Sequence, residues 1–231
     1  MNNITTHHVS LQELNPLLAQ DIAQRLETAI HARGFAVLSV SGGKSPIGLF
    51  EALRVINLDW SRVRITLVDE RCVPDTHPDS NAWLVRNHLL KDSAAAAQFI
   101  PMASNVERVS NAAQALKAAE TTDVLILGMG PDGHTASLFS TDPNLINALD
   151  MNNTQACVVA NPKPLPVNAP YPRITQTLAQ ILSARHIALP VTGTDKLQTL
   201  QQAQNAITPN LPVSYVLHQT QTPVALWLAN N

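Results

Sequence analysis

Asp132 and His134 put an acid and an imidazole two residues apart in the Gly-rich turn of Asp123-Val-Leu-Ile-Leu-Gly-Met-Gly-Pro-Asp-Gly-His134-Thr-Ala-Ser-Leu-Phe139. Residues 124–127 read as a buried strand, and the residues after the turn read as the start of a helix. Open α/β sheets bind ligands at the carboxyl ends of their strands. A His beside a buried acid suits general base catalysis, because a free imidazole exchanges its proton near pH ~6.5. Three readings compete here. Gly128, Gly130 and Gly133 satisfy the dinucleotide pattern G-x-G-x-x-G, which calls for an acid after the next strand. The next strand-like run is 156–160, Asp150 precedes it, and Pro131 and His134 crowd the turn, so this reading is the weakest. In a purely structural reading Asp132 caps the helix and His134 is a satisfied core histidine. The third reading is catalytic, and the rest of the chain decides it.

Further strand ends carry chemically loaded loops. Ser41-Gly42-Gly43-Lys44-Ser45-Pro46 offers backbone N–H groups, a cation and a hydroxyl ahead of a helix, which suits an anion. Gly43-Lys44-Ser45 matches the end of a P-loop, but Leu38 stands where the first glycine belongs, so a nucleotide P-loop is excluded. Asp69-Glu70-Arg71 puts three charges directly after an apolar run, where Arg71 can grip a phosphate or balance the carboxylates. Arg173, expected at the start of a helix, and Lys196 would join Lys44 in supplying cations to one crevice. Asp132 and His134 as metal ligands lack further His or Asp at ligand spacing, so no metal site is expected.

These loops need a scaffold, and the periodicities supply one. Leu14, Leu17, Leu18, Ile22, Leu26 and Ile30 recur at helical spacing up to Gly34. Strands are predicted over 35–40, 63–68, 156–160, 187–191, 213–217 and 224–228. Helices are predicted from Pro46, from Ser80, and over 106–120, 174–182 and 196–203. Residues 94–97 read as a helix end or loop, 161–172, with five prolines, as a constrained loop, and His7-His8 as a loose terminus. The β-α alternation predicts an α/β fold: a mostly parallel sheet with helices on both faces. No internal repeat or long linker divides residues 1–231, which read as a single domain.

Composition narrows the function. A net charge of −2 argues against nucleic acid as the partner. No apolar run spans a membrane and the N-terminus is not a signal peptide, so a cytoplasmic protein is expected. Cys72 and Cys157 form no disulfide framework. Nothing in the sequence sets an oligomeric state.

Five segments in order across most of the chain resemble the 6-phosphogluconolactonase family, within the group that includes glucosamine-6-phosphate deaminases/isomerases. They are Ser41–Pro46, Leu67–Arg71 with Ser80-Asn81, Gly128–Phe139, Arg173-Ile-Thr175 and Thr192–Lys196. The deaminase pattern carries an Asn-Glu-Pro after the Gly-His turn; here Ser137-Leu138-Phe139 contains no acid, which favours the lactonase. The resemblance implies a Rossmann-like fold without a dinucleotide. It also implies a phosphosugar lactone, 6-phosphogluconolactone, as substrate, hydrolysed to 6-phosphogluconate in the oxidative pentose phosphate pathway without a cofactor. His134 is then the general base and Asp132 orients it. Arg71 or N–H groups of the Gly128–Gly133 turn meet the oxyanion, while Gly42, Gly43, Lys44, Ser45, Arg173 and Lys196 hold the phosphate. In a deaminase or isomerase, Asp69 would be the proton-shuttling base. A non-catalytic sugar-phosphate sensor would keep the cations without needing His134.

Overall fold

The computed structural model describes residues 3–102 and 109–230. Seven strands form one parallel sheet: β1 (Ile4–Ser10), β2 (Ala36–Val40), β3 (Val63–Leu67), β5 (Gln98–Phe99), β6 (Val124–Ile126), β9 (Ile187–Thr192) and β10 (Val224–Asn230). Their order is β1-β10-β9-β6-β2-β3-β5. A separate antiparallel sheet, order β4-β8-β7, joins β4 (Asp69–Arg71), β8 (Arg173–Gln176) and β7 (Cys157–Ala160). The chain runs outward from β2 to β3 and β5, then returns to β6 on the other side of β2. The order therefore reverses between β2 and β6, and a crevice opens beyond their carboxyl ends.

Helix α1 (Leu11–Arg33) covers one face of the sheet with Leu14, Leu18, Ile22 and Leu26, all buried. Ser10 and Glu13 form a capping box at its start, and Gly34, at φ 85°, ends it in the left-handed region that glycine enters without strain. Helices α2 (Ile47–Leu53), α3 (Asn81–His88) and α4 (Val109–Ala119) follow β2, β4 and β5. Residues 106–108 of the expected 106–120 helix lie outside the described residues. After α5 (Leu145–Leu149) and α6 (Leu178–Ile181) come α7 (Thr194–Asn205) and α8 (Val213–Leu217), whose Leu200, Ala203, Val213 and Val216 pack in a second core cluster with Leu189 and Leu226. Among the described residues no helix is long and apolar enough to cross a membrane.

Four local expectations fail. Residues 213–217 form α8 rather than a strand: Pro212 starts a helical turn at φ −55° and ψ −29°, and a mostly apolar run of five residues has no readable period. Residues 174–182 are not one helix, since β8 pairs with both β4 and β7, and Thr177 caps a short helix only afterwards. His7 and His8 are not a loose end but part of β1, with the His7 ring stacked on Trp227 at 4.2 Å. The turn at 128–134 opens no helix; isolated bridges Met129–Thr135 and Thr135–Leu138 fold it back on itself.

Candidate active site

A cleft of about 390 Å³ lies at the carboxyl ends of β2, β6 and β9. The loop after β2 forms one wall, Asp69 and Arg71 stand beside it, and the turn after β6 brings His134. Lys196, from the first turn of α7, and Asn168, from the proline-rich loop, complete it. The expected anion-loop residues Gly42, Gly43, Lys44 and Ser45 all line this cleft, as do Asp69, Arg71, His134 and Lys196.

Asp132 holds His134 by a 2.5 Å contact between its Oδ1 and His134 Nδ1. Because a carboxylate only accepts, Nδ1 carries the proton, and in the neutral imidazole this leaves the lone pair on Nε2. Gly130 makes the pairing possible: a Cβ there would stand 2.2 Å from the imidazole and 2.5 Å from Asp132 Oδ1. Phe139 packs against the imidazole with ring centroids 4.3 Å apart. Asp132 is neither the buried acid nor the helix cap of the sequence readings: its side chain is 56% exposed, and no helix follows. Burial pushes its carboxyl up, but the hydrogen bond and charge of His134 outweigh that and hold it below the usual aspartate value.

The two loops flanking the crevice are tied together. Ser41 N–H donates to Ile126 O at 3.1 Å, and Gly128 N–H donates to Ser41 Oγ at 3.2 Å. Within the turn Gly130 N–H goes to His134 O and Gly133 N–H to Gly130 O. The N–H groups of Gly128, Gly130 and Gly133 are therefore taken, so Arg71 and the remaining N–H groups of the turn are the oxyanion candidates. By contrast, no partner among the described residues accepts from the backbone N–H of Gly42, Gly43 or Lys44. Gly42 must be glycine because a Cβ would lie 1.7 Å from Asn81 Oδ1, and Gly43 has φ 85°.

Asp69 is buried and doubly held: Ser137 Oγ donates to Oδ2 at 2.5 Å and Asn81 Nδ2 to Oδ1 at 3.3 Å. Glu70, also buried, faces away from the cleft. It accepts from Arg71 N–H, Ser80 Oγ, Asn81 N–H and Ala82 N–H, so it anchors the start of α3 to β4. Burial pushes the Glu70 carboxyl up, while these four hydrogen bonds pull it down less strongly. Arg71 NH1 donates to Asp79 O at 2.8 Å, and its buried Nε has no partner among the described residues.

Arg173 departs from expectation. It is a strand residue directly across the ladder from Arg71, only 3% exposed, and it is not among the residues that line the cleft. Its guanidinium donates to Tyr171 O and Ala169 O and lies over the Phe139 ring, 5.0 Å from the centroid. Burial lowers its pKa, partly offset by the charge of Asp69. Burial likewise lowers the pKa of Lys196.

Sequence reasoning missed the polar residues that lack a motif. Asn168 sits in a loop without periodicity, and Asn15 lies beside Leu14 in a helix read for its apolar stripe. Ser137 and Asn81 were both inside quoted motifs, but only the fold brings them to Asp69. Among the described residues, no group of three or more His, Cys, Asp or Glu is arranged to hold a metal.

The family model for glucosamine-6-phosphate isomerases/6-phosphogluconolactonase matches residues 10–227. A 6-phosphogluconolactonase of Pseudomonas putida is 44% identical over 207 residues, which cover 87% of this chain and 84% of that protein. The crystal structure of a 6-phosphogluconolactonase from Shewanella baltica superposes with a TM-score of 0.86 at 38% identity, covering 98% of both chains. A monomeric glucosamine-6-phosphate deaminase shares the fold, with a TM-score of 0.80 at 16% identity over 97% of both chains. The chain belongs to the glucosamine-6-phosphate isomerase/6-phosphogluconolactonase family.

Proposed function

We propose that this protein hydrolyses 6-phospho-D-glucono-1,5-lactone to 6-phosphogluconate, in the cytoplasm, as the lactone-opening step of the oxidative pentose phosphate pathway. The observation that carries this reading is a His134 imidazole whose Nδ1 is held by Asp132, in the same cleft as unpartnered backbone N–H groups, Lys44 and Lys196. In the reaction, His134 Nε2 takes a proton from water as the water oxygen attacks the lactone carbonyl carbon. The carbonyl electrons move onto oxygen, where the Arg71 guanidinium stabilises the charge. Collapse of this intermediate breaks the bond to the ring oxygen, which takes the proton back from the imidazolium. Asp132 steadies the transient positive charge.

The phosphate sits at the Gly42–Ser45 loop between Lys44 and Lys196, and its binding energy orients the reacting end. Arg173 stands behind Arg71 and acts on the cleft through its neighbours, by fixing the carbonyls of Ala169 and Tyr171 next to Asn168. Asp69, the base of the deaminase alternative, is immobilised by Ser137 and Asn81, a positioning role that suits Arg71 rather than proton shuttling.

The test is the rate of loss of freshly made 6-phosphogluconolactone, with the spontaneous rate subtracted and unphosphorylated gluconolactone as the comparison substrate. Strong acceleration of the phosphorylated lactone is expected. Ammonia release from glucosamine 6-phosphate without lactone turnover would contradict the proposal.

A further inference from the structure

We infer that Asn15 is a substrate-binding residue at the phosphate end of the cleft, an inference that rests on the lactonase reading above. Asn15 follows buried Leu14 in α1, and both residues line the cleft with the Gly42–Pro46 loop. Its amide passes so close to α2 that a Cβ on Gly48 would stand 2.4 Å from Asn15 Nδ2. Gly48 belongs to the first turn of α2, directly after the anion loop. The amide therefore reaches the end of the cleft where the phosphate is placed.

The local chemistry has no structural explanation. Asn is a poor helix residue because its amide competes for backbone hydrogen bonds. Asn15 makes none: among the described residues its amide has no hydrogen-bond partner. Glycine is also among the poorest helix formers, yet it stands at 48, where any side chain would push the amide aside. Two unfavourable helix residues face each other, and the space they create holds two unused N–H donors and one acceptor at a cleft wall. A phosphate only accepts hydrogen bonds when dianionic, so a neutral donor in the cleft that Lys44 also lines strengthens the grip without adding charge. The amide thus selects for the phosphorylated substrate.

The experiment measures binding of 6-phosphogluconate and of gluconate by calorimetry to wild type, Asn15→Ala, Asn15→Asp, Gly48→Ala and the double variant Asn15→Ala/Gly48→Ala. Wild type should prefer 6-phosphogluconate. Asn15→Ala should weaken it about three- to tenfold, the range of one neutral hydrogen bond. Asn15→Asp sets a carboxylate against the dianion and should weaken it about ten- to a hundredfold. Gluconate binding should change less than twofold in every variant. Gly48→Ala displaces the amide, so it should reproduce Asn15→Ala, and the double variant should be no worse than Asn15→Ala alone. Alanine favours helix at both positions, so thermal stability should be kept and weakened binding read as a local effect.

Wild-type affinity for 6-phosphogluconate in Asn15→Asp, or equal weakening of both ligands, would overturn the assignment while leaving the lactonase reading intact. A wild-type protein with no preference for the phosphorylated ligand would overturn both.

Discussion

Asp132 and His134 work as a unit because a carboxylate can only accept a hydrogen bond. An amide at 132 can instead donate to Nδ1, which moves the imidazole proton to Nε2 and removes the base. Asp132→Asn is therefore expected to lower turnover by about tenfold or more while leaving thermal stability unchanged, since the side chain is largely exposed and heads no helix. Steady-state turnover and thermal melts on the same preparation check this; unchanged turnover would take Asp132 out of the mechanism. The folded-state pKa of Asp132 lies below its unfolded value of about 3.9, so the pair is formed above that pH and is lost as the pH falls through the lower folded value. At this scale the sequence was legible where chemistry and spacing coincide: His134 and the Gly42–Ser45 loop reach one cleft. It was illegible where a residue's role depends on what crosses it. The need for glycine at 42 comes from Asn81, 39 positions away in the chain, and only the fold brings the two together.

Elements transmit this geometry. Glu70 accepts four hydrogen bonds on two oxygens, three of which bind β4 to Ser80, Asn81 and Ala82 at the start of α3, and β4 carries both Asp69 and Arg71 into the cleft. Glu70→Ala leaves those buried donors unpaired and should destabilise the protein by about 3 kcal/mol in chemical denaturation, with turnover falling as Arg71 loses its seat. A neutral effect on both would show that α3 is held by its apolar contacts alone. Strand β8 places Arg173 one layer behind the cleft wall. Arg173→Ala should lower the melting temperature through the freed carbonyls of Ala169 and Tyr171 and lower turnover as Arg71 loses its backing, with 6-phosphogluconate and gluconate binding changing alike. Weakening confined to 6-phosphogluconate would show that Arg173 reaches the phosphate directly. Five strands of the parallel sheet were legible as buried apolar runs between helices, whereas β1 was read as a loose terminus and the two-residue β5 was not read. The small antiparallel sheet was legible only in part: β7 lies within the strand expected over 156–160, but the four residues of β8 run straight into a capped helix and were read as helix. Helix α8 failed for the same reason, five residues being too few to separate a period of two from one of 3.6.

The whole molecule carries a net charge of −2, so its attraction for a phosphate dianion is a local property of the cleft. Lys44 is exposed at its rim and Lys196 partly so. Salt should therefore raise the KM for 6-phosphogluconolactone while leaving gluconolactone hydrolysis almost unaffected, and a salt series on both substrates checks this. The proposed proton transfer rests on one imidazole in that cleft, His134. The most direct measurement is the turnover of His134→Ala on fresh 6-phosphogluconolactone, taken together with its affinity for 6-phosphogluconate. Turnover should fall by about 10²–10⁴ with affinity within a few-fold of wild type, because the base is lost and the phosphate site is untouched. Near-full turnover in this variant would contradict the account and move water activation to another group, with Asp69 first in line.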